Sequence, residues 1–253
     1  MINQIIGSGM NIQDMFITIV TMLGAMIIAL SMHELAHGYV AYLNGDMTAK
    51  MQGRLTLNPL KHIDIFGFIA LLFVGFGWAK PVPVDPYNFK KQKRGIFTVS
   101  IAGVTVNLIL AIIFFILELI LYAILKAVYN PLEGISEVGL IIFKLFDYFF
   151  LYGITINLTL MAFNLLPICP LDGFHVVEAF TRYDNKYCVF MRKYGTYVLF
   201  GLLIGGSIIS SIGANIGGTF GRVLYYFDII GLYINSINNA FMSLFNLIFG
   251  AII

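Results

Sequence analysis

The sequence predicts an all-α, multi-pass membrane protein: a bundle of about five or six transmembrane helices, with a short β or re-entrant region after the first helix. Composition is the first observation, because 59% of the 253 residues are hydrophobic and 11% are charged, whereas soluble domains carry roughly 25% charged residues. The second is a series of apolar runs of spanning length. The net charge of +2 is too small to indicate a nucleic-acid partner, so the expected surroundings are a lipid bilayer.

Four apolar runs have the length of membrane spans: residues 15–43, 96–126, 138–166 and 196–216. Segment 63–79 is apolar but short and contains three glycines, so it is expected to enter the membrane and return. Segment 228–253 is long enough to span, but four asparagines share one helical face, which is expected to face the bundle or the interface. We expect one domain over 1–253, with a core at 15–175 and C-terminal helices at 196–253.

A metal-binding motif closes the first span. His33-Glu34-Leu35-Ala36-His37 sets two imidazoles one helical turn apart on one face, the spacing that binds zinc. Glu34 then lies where it can take a proton from metal-activated water. No charged residue lies between Asp14 and Glu34. The motif therefore predicts a hydrolytic metal site at membrane depth.

A catalytic zinc site needs a third protein ligand and one open position for water. The best candidate is Asp172, in the stretch NLLPICPLDG at 164–173. Pro167 and Pro170 break the end of the 138–166 span and present Asp172 close to the depth expected for the two histidines. A carboxylate at that depth is costly unless a metal or partner neutralises it, although an Asp-Gly pair after a helix end is by itself commonly a turn.

These motifs, in this order and at this separation, resemble the site-2 protease family of intramembrane zinc metalloproteases. The resemblance rests on HELAH at 33–37 and on NLLPICPLDG at 164–173, which follows the family pattern NxxPxxxLDG. It extends to GRLTLNPLKHID at 53–64 and GWAKPVPV at 77–84, which look like the subgroup that lacks an inserted PDZ domain. The resemblance implies that His33, His37 and Asp172 bind one zinc ion per chain and that Glu34 activates the water.

Three further polar residues are candidates for binding substrate or supporting the ligands: Asn107, Asn164 and His175. Asn107 closes a Gly-x-x-x-Asn element that the family also has, with Val104 at a position where the family often has proline. Packing between helices is an equally good interpretation of Asn107. For His175, the alternative is an ordinary polar residue of a helix.

Basic residues predict the orientation in the membrane. Eight of them lie between the first and third apolar segments, within 50–94, and four more follow the 138–166 span. By the positive-inside rule, 44–95 and 170–195 are cytoplasmic, whereas the N-terminus and 128–137 are outside. The expected location is the cell membrane, with the active site near the cytoplasmic face.

The function that the resemblance implies is zinc-dependent cleavage of transmembrane segments, with single-span or signal-like membrane proteins as substrates. Two alternatives stay open: a membrane metal transporter or sensor that uses the same ligands, and an inactive pseudo-protease that only binds. Transport does not require Glu34, and a pseudo-protease would more naturally have lost one of the four core residues.

Three local predictions complete the analysis. Leu55-Thr56-Leu57 has strand character, so a substrate is expected to add a strand near 50–60. Lys144 and Asp147 stand three residues apart and are expected to neutralise one another. Glycines recur at four-residue spacing between Gly201 and Gly221, which predicts close helix packing, with a homo-oligomer as the alternative.

Overall fold

The computed structural model describes residues 9–74, 77–128, 136–218 and 226–252, and these ranges are mostly helical. Their helices are α1 (Ile12–Leu43), α2 (Thr48–Met51), α3 (Ile65–Val74), α4 (Gln92–Val128), α5 (Glu137–Asn164), α6 (Asp172–Phe180), α7 (Lys186–Ile216) and α8 (Ile229–Ile252). By length and composition, α1, α4, α5 and α7 are able to cross a membrane. The prediction of a multi-pass helical membrane protein is confirmed. The proposed outside segment 128–137 lies mostly outside the described residues.

The helices follow the apolar runs closely, except at the start of α7. This helix begins at Lys186, well before the apolar run at 196. Its polar first turns fold as helix because Arg192 Nε donates to Glu178 on α6 at 2.8 Å and Nη1 donates to the Tyr183 carbonyl at 2.9 Å. The first turns of α7 therefore depend on contacts with α6 and the preceding loop, which a hydropathy pattern does not contain.

The core lies where α4, α5 and α8 meet. Phe114 and Phe115 of α4 pack against Ile154 and Leu158 of α5, and Phe245 of α8 completes the cluster. The Phe115 and Phe245 rings stack with centroids 4.1 Å apart. Such buried aromatic contacts hold α4 and α5 in a fixed relation, and these two helices position the site described below.

The two ends of segment 63–79 lie side by side. Ile63 and Ala79 form an antiparallel bridge, and the Lys80 amide donates to the His62 carbonyl at 2.8 Å. Helix α3, between these ends, has 10 residues and is about 15 Å long, half of a ~30 Å hydrocarbon core. Helix α3 alone is therefore too short for a straight span, and the re-entrant path of 63–79 stays a prediction.

The predicted strand at 55–57 is wrong within the described residues, where these positions form bends and the Ile63–Ala79 bridge is the β pairing. The reason is that side chains take up backbone groups in this loop. His62, which is fully buried, lies with Nε2 2.8 Å from the Thr56 carbonyl. The Thr56 carbonyl is therefore already hydrogen bonded and is not free to pair with another strand.

The predicted Lys144–Asp147 pair is also wrong. Lys144 of α5 forms an ion pair with Asp14 in the first turn of α1, with Nζ and Oδ1 2.8 Å apart. Asp147 instead accepts a hydrogen bond from Tyr122 of α4. A lysine that precedes its aspartate is the weaker order for an intrahelical pair, and both side chains reach partners on neighbouring helices.

Asp46 ties the end of α1 to the loop that leads into α4. Its buried carboxylate accepts hydrogen bonds from the Thr48 amide and hydroxyl, the Asp85 amide at 2.8 Å and the Asn88 side chain at 3.0 Å. Burial alone would raise the pKa of Asp46, but these hydrogen bonds outweigh it and lower the pKa below its ordinary value. The carboxylate is therefore a fixed anion that organises this loop.

Asp46→Ala is expected to lower the free energy of unfolding at pH 7 by about 3 kcal/mol, since it leaves several buried donors without an acceptor. The depressed pKa gives the sign of the pH effect: the contribution is present above the unfolded pKa of about 3.9 and is lost as pH falls towards the lower folded value. Thermal unfolding in detergent at pH 7 and at more acidic pH measures both. Asp184→Ala, at a mostly exposed position, is the control, and equal effects of the two variants would contradict the assignment.

Candidate metal centre

Two helices bring three ligand atoms together in the interior. His33 and His37 lie on α1, and Asp172 is the first residue of α6. The two Nε2 atoms are 3.0 Å apart, and each lies 3.3 Å from Asp172 Oδ2. The three side chains are 8%, 11% and 17% exposed. The arrangement is a small triangle of donor atoms, nearly closed to the surroundings.

The break between α5 and α6 delivers Asp172 to this position. Pro167 and Pro170 end α5, and Leu171 caps the start of α6 with extended backbone. Phe174, 1% exposed, anchors the first turn of α6. At Gly173 a side chain would run into the Leu165 and Leu166 carbonyls, so only glycine lets α6 pack so closely on the end of α5.

Helix α4 orients both imidazoles. His33 Nδ1 lies 3.3 Å from Asn107 Oδ1, and His37 Nδ1 lies 2.8 Å from the Val99 carbonyl. Because both neighbours are acceptors, we assign the ring protons to Nδ1, which leaves a lone pair on each Nε2. Gly103 faces the rings between these two positions, and a Cβ there would lie 2.5 Å from His37 Nε2. Glycine is therefore needed for α4 to approach the pair.

The triangle fits a zinc ion by its chemistry and its dimensions. Two nitrogen lone pairs and a carboxylate face one another, and Asp172 Oδ2 is buried without a hydrogen-bond donor among the described residues. Ligand atoms bonded at about 2.0–2.1 Å to one tetrahedral zinc are roughly 3.3–3.4 Å apart, close to the distances seen. Such a cluster is favourable with a cation at its centre.

Glu34 is held beside the pair by the loop after α3. Its Oε2 accepts a hydrogen bond from the Val82 amide at 2.8 Å. The carbonyls just before Val82 are fixed in turn, because Arg54 Nη2 donates to the Lys80 carbonyl at 2.8 Å and the Pro81 carbonyl at 3.1 Å. One carboxylate oxygen of Glu34 is thereby anchored beside the two histidines.

The remaining two candidates bond elsewhere. The Asn164 amide donates to the Leu160 carbonyl of its own helix at 3.0 Å. His175 Nδ1 lies 3.1 Å from Glu178, and its side chain is 44% exposed. In the part of the chain that the structure describes, neither residue hydrogen bonds to His33, His37 or Asp172.

Sequence reasoning missed three groups that hold the site: the Val99 carbonyl, the Val82 amide and Arg54. The first two are backbone groups of apolar residues, so the side-chain pattern carries no signal for them. Arg54 does carry a signal in the sequence, because it lies inside the motif at 53–64. As one of eight basic residues in 50–94, however, it indicates orientation and not a contact with the site.

Comparison with known proteins is consistent with this geometry. The chain is 49% identical to YwhC of Bacillus subtilis over 155 residues, which are 60% of this chain and 65% of that protein. It is 26% identical to Rip2 of Mycobacterium tuberculosis over 219 residues, which are 84% of this chain and 75% of that protein. Both relatives are provisionally named zinc metalloproteases. No solved structure matches the chain. The model of peptidase family M50 matches residues 21–206, most of the length, and the chain therefore belongs to peptidase family M50.

Proposed function

We propose that this protein is an intramembrane zinc endopeptidase of the site-2 protease type, which cleaves transmembrane segments within the bilayer. The observation that carries the proposal is the triangle of His33, His37 and Asp172 at the inner end of a spanning helix, with Glu34 anchored beside it. Membership of family M50 supports the same activity. We assign the three triangle residues as the ligands of one zinc ion per chain.

Zinc held by His33, His37 and Asp172 would supply Lewis-acid polarisation of the scissile carbonyl and would lower the pKa of the attacking water. Glu34 takes the proton of that water as general base and returns it to the leaving amine. The Val82 amide holds Glu34 Oε2, which fixes the carboxylate beside the two histidines. Asn107 and Val99 keep the imidazoles in the tautomer that offers Nε2 to the metal.

The surroundings of the site fit hydrolysis in a bilayer. His33 lies ten residues before Leu43, roughly 15 Å from the end of α1, and His37 lies about one turn closer to that end. We propose that this end faces the cytoplasm, where the basic residues cluster, and that the N-terminus is outside. Water then reaches the site from the cytoplasm, while single-span or signal-like membrane proteins reach it from the lipid. The core at 15–175 would carry the chemistry, within one domain.

The direct test is cleavage of a panel of single-span membrane proteins by the purified protein in detergent. Cleavage is expected without additives, is expected to stop after treatment with a chelator, and should return when zinc is added. Mass spectrometry of the products locates the cleaved bonds, which should lie inside the transmembrane segments. Chelator-resistant cleavage would contradict a metal mechanism. Metal flux into vesicles without any cleavage would favour the transporter instead.

Orientation makes a separate prediction. With Cys169 and Cys188 replaced by Ala, single cysteines at Lys50 and Lys91 should react with an impermeant reagent from the same, cytoplasmic face. The structure motivates this, since residues 63 and 79 lie side by side between the two positions. A cysteine at Glu137, the first residue of α5, should react only from the opposite face. Labelling of Lys50→Cys and Lys91→Cys from opposite faces would contradict the re-entrant segment.

A further inference from the structure

A cleft with two cations and two aromatic rings opens between α4 and the C-terminal end of α6, the end opposite Asp172. It has a volume of about 470 Å³ and is lined by Lys93, Arg94, Phe97, Ala179 and Phe180. The Phe97 and Phe180 rings form its apolar wall, edge to face with centroids 5.2 Å apart. The Phe180 side chain is largely uncovered, since the residue is 72% exposed.

The cations of this cleft lack partner carboxylates. Lys90, Lys91, Lys93 and Arg94 stand within five positions, and no acidic residue occurs between Asp85 and Glu118. None of the four forms an ion pair among the residues that the structure describes; Lys93 Nζ has a long contact of 3.5 Å with the Thr181 carbonyl.

The acids closest to the cleft in sequence are engaged elsewhere. Glu178 pairs with His175 and Arg192, and Asp184 pairs with Arg182. Among the described residues, the positive charge of the cleft is therefore not neutralised by a carboxylate, and the first turn of α4 contains no acidic residue. The unpaired amides at the start of a helix also favour an anion.

The cleft lies at the polar end of a spanning helix. Helix α4 becomes apolar directly after Arg94, and no charged residue follows until Glu118. Cations at this point of a membrane helix lie at the level of lipid headgroups, and the ring of Phe97, one turn further, lies at the level of the first acyl carbons.

We propose that the cleft between Lys93 and Phe180 binds an anionic phospholipid. Its phosphate lies against Lys93 and Arg94, and the upper part of one acyl chain covers Phe97 and Phe180. A soluble phosphate would leave the aromatic wall uncovered, and a neutral lipid would leave the two cations unpaired, whereas an anionic lipid satisfies both. Bound there, it would bridge α4, whose Val99 carbonyl holds His37, and α6, which begins with Asp172.

The test uses the purified full chain in detergent with dioleoylphosphatidylglycerol or dioleoylphosphatidylcholine. Native mass spectrometry counts the retained lipids, and the thermal midpoint reports their effect on the fold. We expect selective retention of the phosphatidylglycerol and a higher midpoint. The double variant Lys93→Gln/Arg94→Gln should weaken this binding roughly 30-fold, the effect of removing two interfacial cations. The matched control Lys50→Gln/Lys61→Gln removes two exposed cations outside the cleft and should bind normally.

Several outcomes would overturn the proposal. If both double variants lose phosphatidylglycerol binding equally, the lipid is attracted to the basic surface in general and not to the cleft. If the wild type retains both lipids equally, the cleft binds acyl chains without selecting the headgroup charge. An equal rise of the midpoint with glycerophosphoglycerol or with an acidic peptide would assign the cleft to a soluble anion or a protein partner. Phe180→Ser changes an exposed position and should also weaken retention. If circular dichroism shows that the Lys93/Arg94 variant has lost helix content, Phe180→Ser alone tests the proposal, and normal lipid retention by Phe180→Ser would then overturn it.

Discussion

Glu34→Gln is expected to leave zinc bound and to lower the rate of peptide hydrolysis by about 100- to 10,000-fold, the usual contribution of a general base. Glutamine has nearly the same shape, and its amide oxygen can still accept the hydrogen bond from the Val82 amide. The loop therefore keeps its anchor on α1, and His33 and His37 are unchanged. What is lost is the basic oxygen that takes the proton of the attacking water.

Two measurements separate chemistry from binding in this variant. Metal analysis of the purified protein should give the wild-type zinc content, and single-turnover cleavage of a bound substrate should be slow. Glu137→Gln makes the same chemical change in the first turn of α5 and should leave the rate unchanged. Cleavage by Glu34→Gln within a few-fold of wild type would remove Glu34 from the role of general base.

The spans of the fold were predictable because each helix that crosses a bilayer must be apolar over its whole length. The same rule hides what happens at the ends. Helix α7 starts well before its apolar run because Arg192 has partners on α6 and the loop after it. Lys144 reaches Asp14 on another helix, although its own helix offers Asp147. Partners of long polar side chains depend on packing, and a single sequence does not contain that packing.

The three ligand candidates could be predicted because each is marked by residues close to it in the sequence. HExxH needs one helical turn to bring two imidazoles together, and a proline-broken helix end marked Asp172. The groups that hold His37 and the neighbouring Glu34 are distant in sequence and belong to the backbone: the Val99 carbonyl on α4 contacts His37, and the Val82 amide in the loop donates to Glu34. In the sequence, Gly103 is only the first residue of a Gly-x-x-x-Asn element. Its physical role, which is to leave room for two imidazole rings, depends on how α4 packs against α1.

Asp172→Ala is expected to release the metal while the membrane fold remains. Among the described residues, Asp172 is the one anionic ligand of the triangle. Its loss leaves two neutral imidazoles, which are too few ligands for a catalytic zinc site. Changing a group that merely supports a ligand costs about 10- to 100-fold in metal affinity, so loss of the ligand itself should cost more than about 100-fold. Helix α6 should persist, because Phe174 and Ala179 keep it buried against the bundle.

The measurement is zinc content after dialysis against a graded chelator, together with circular dichroism. Asp172→Asn should behave like the alanine variant although it keeps the size of the side chain, because the amide is neutral. Asp184→Ala removes a carboxylate that is 76% exposed and should retain zinc as the wild type does. Full zinc occupancy in Asp172→Ala at the wild-type affinity would show that the third ligand is another residue. Loss of helix content along with the metal would mean that Asp172 supports the fold, and the asparagine variant would then distinguish the two roles, because it preserves the start of α6.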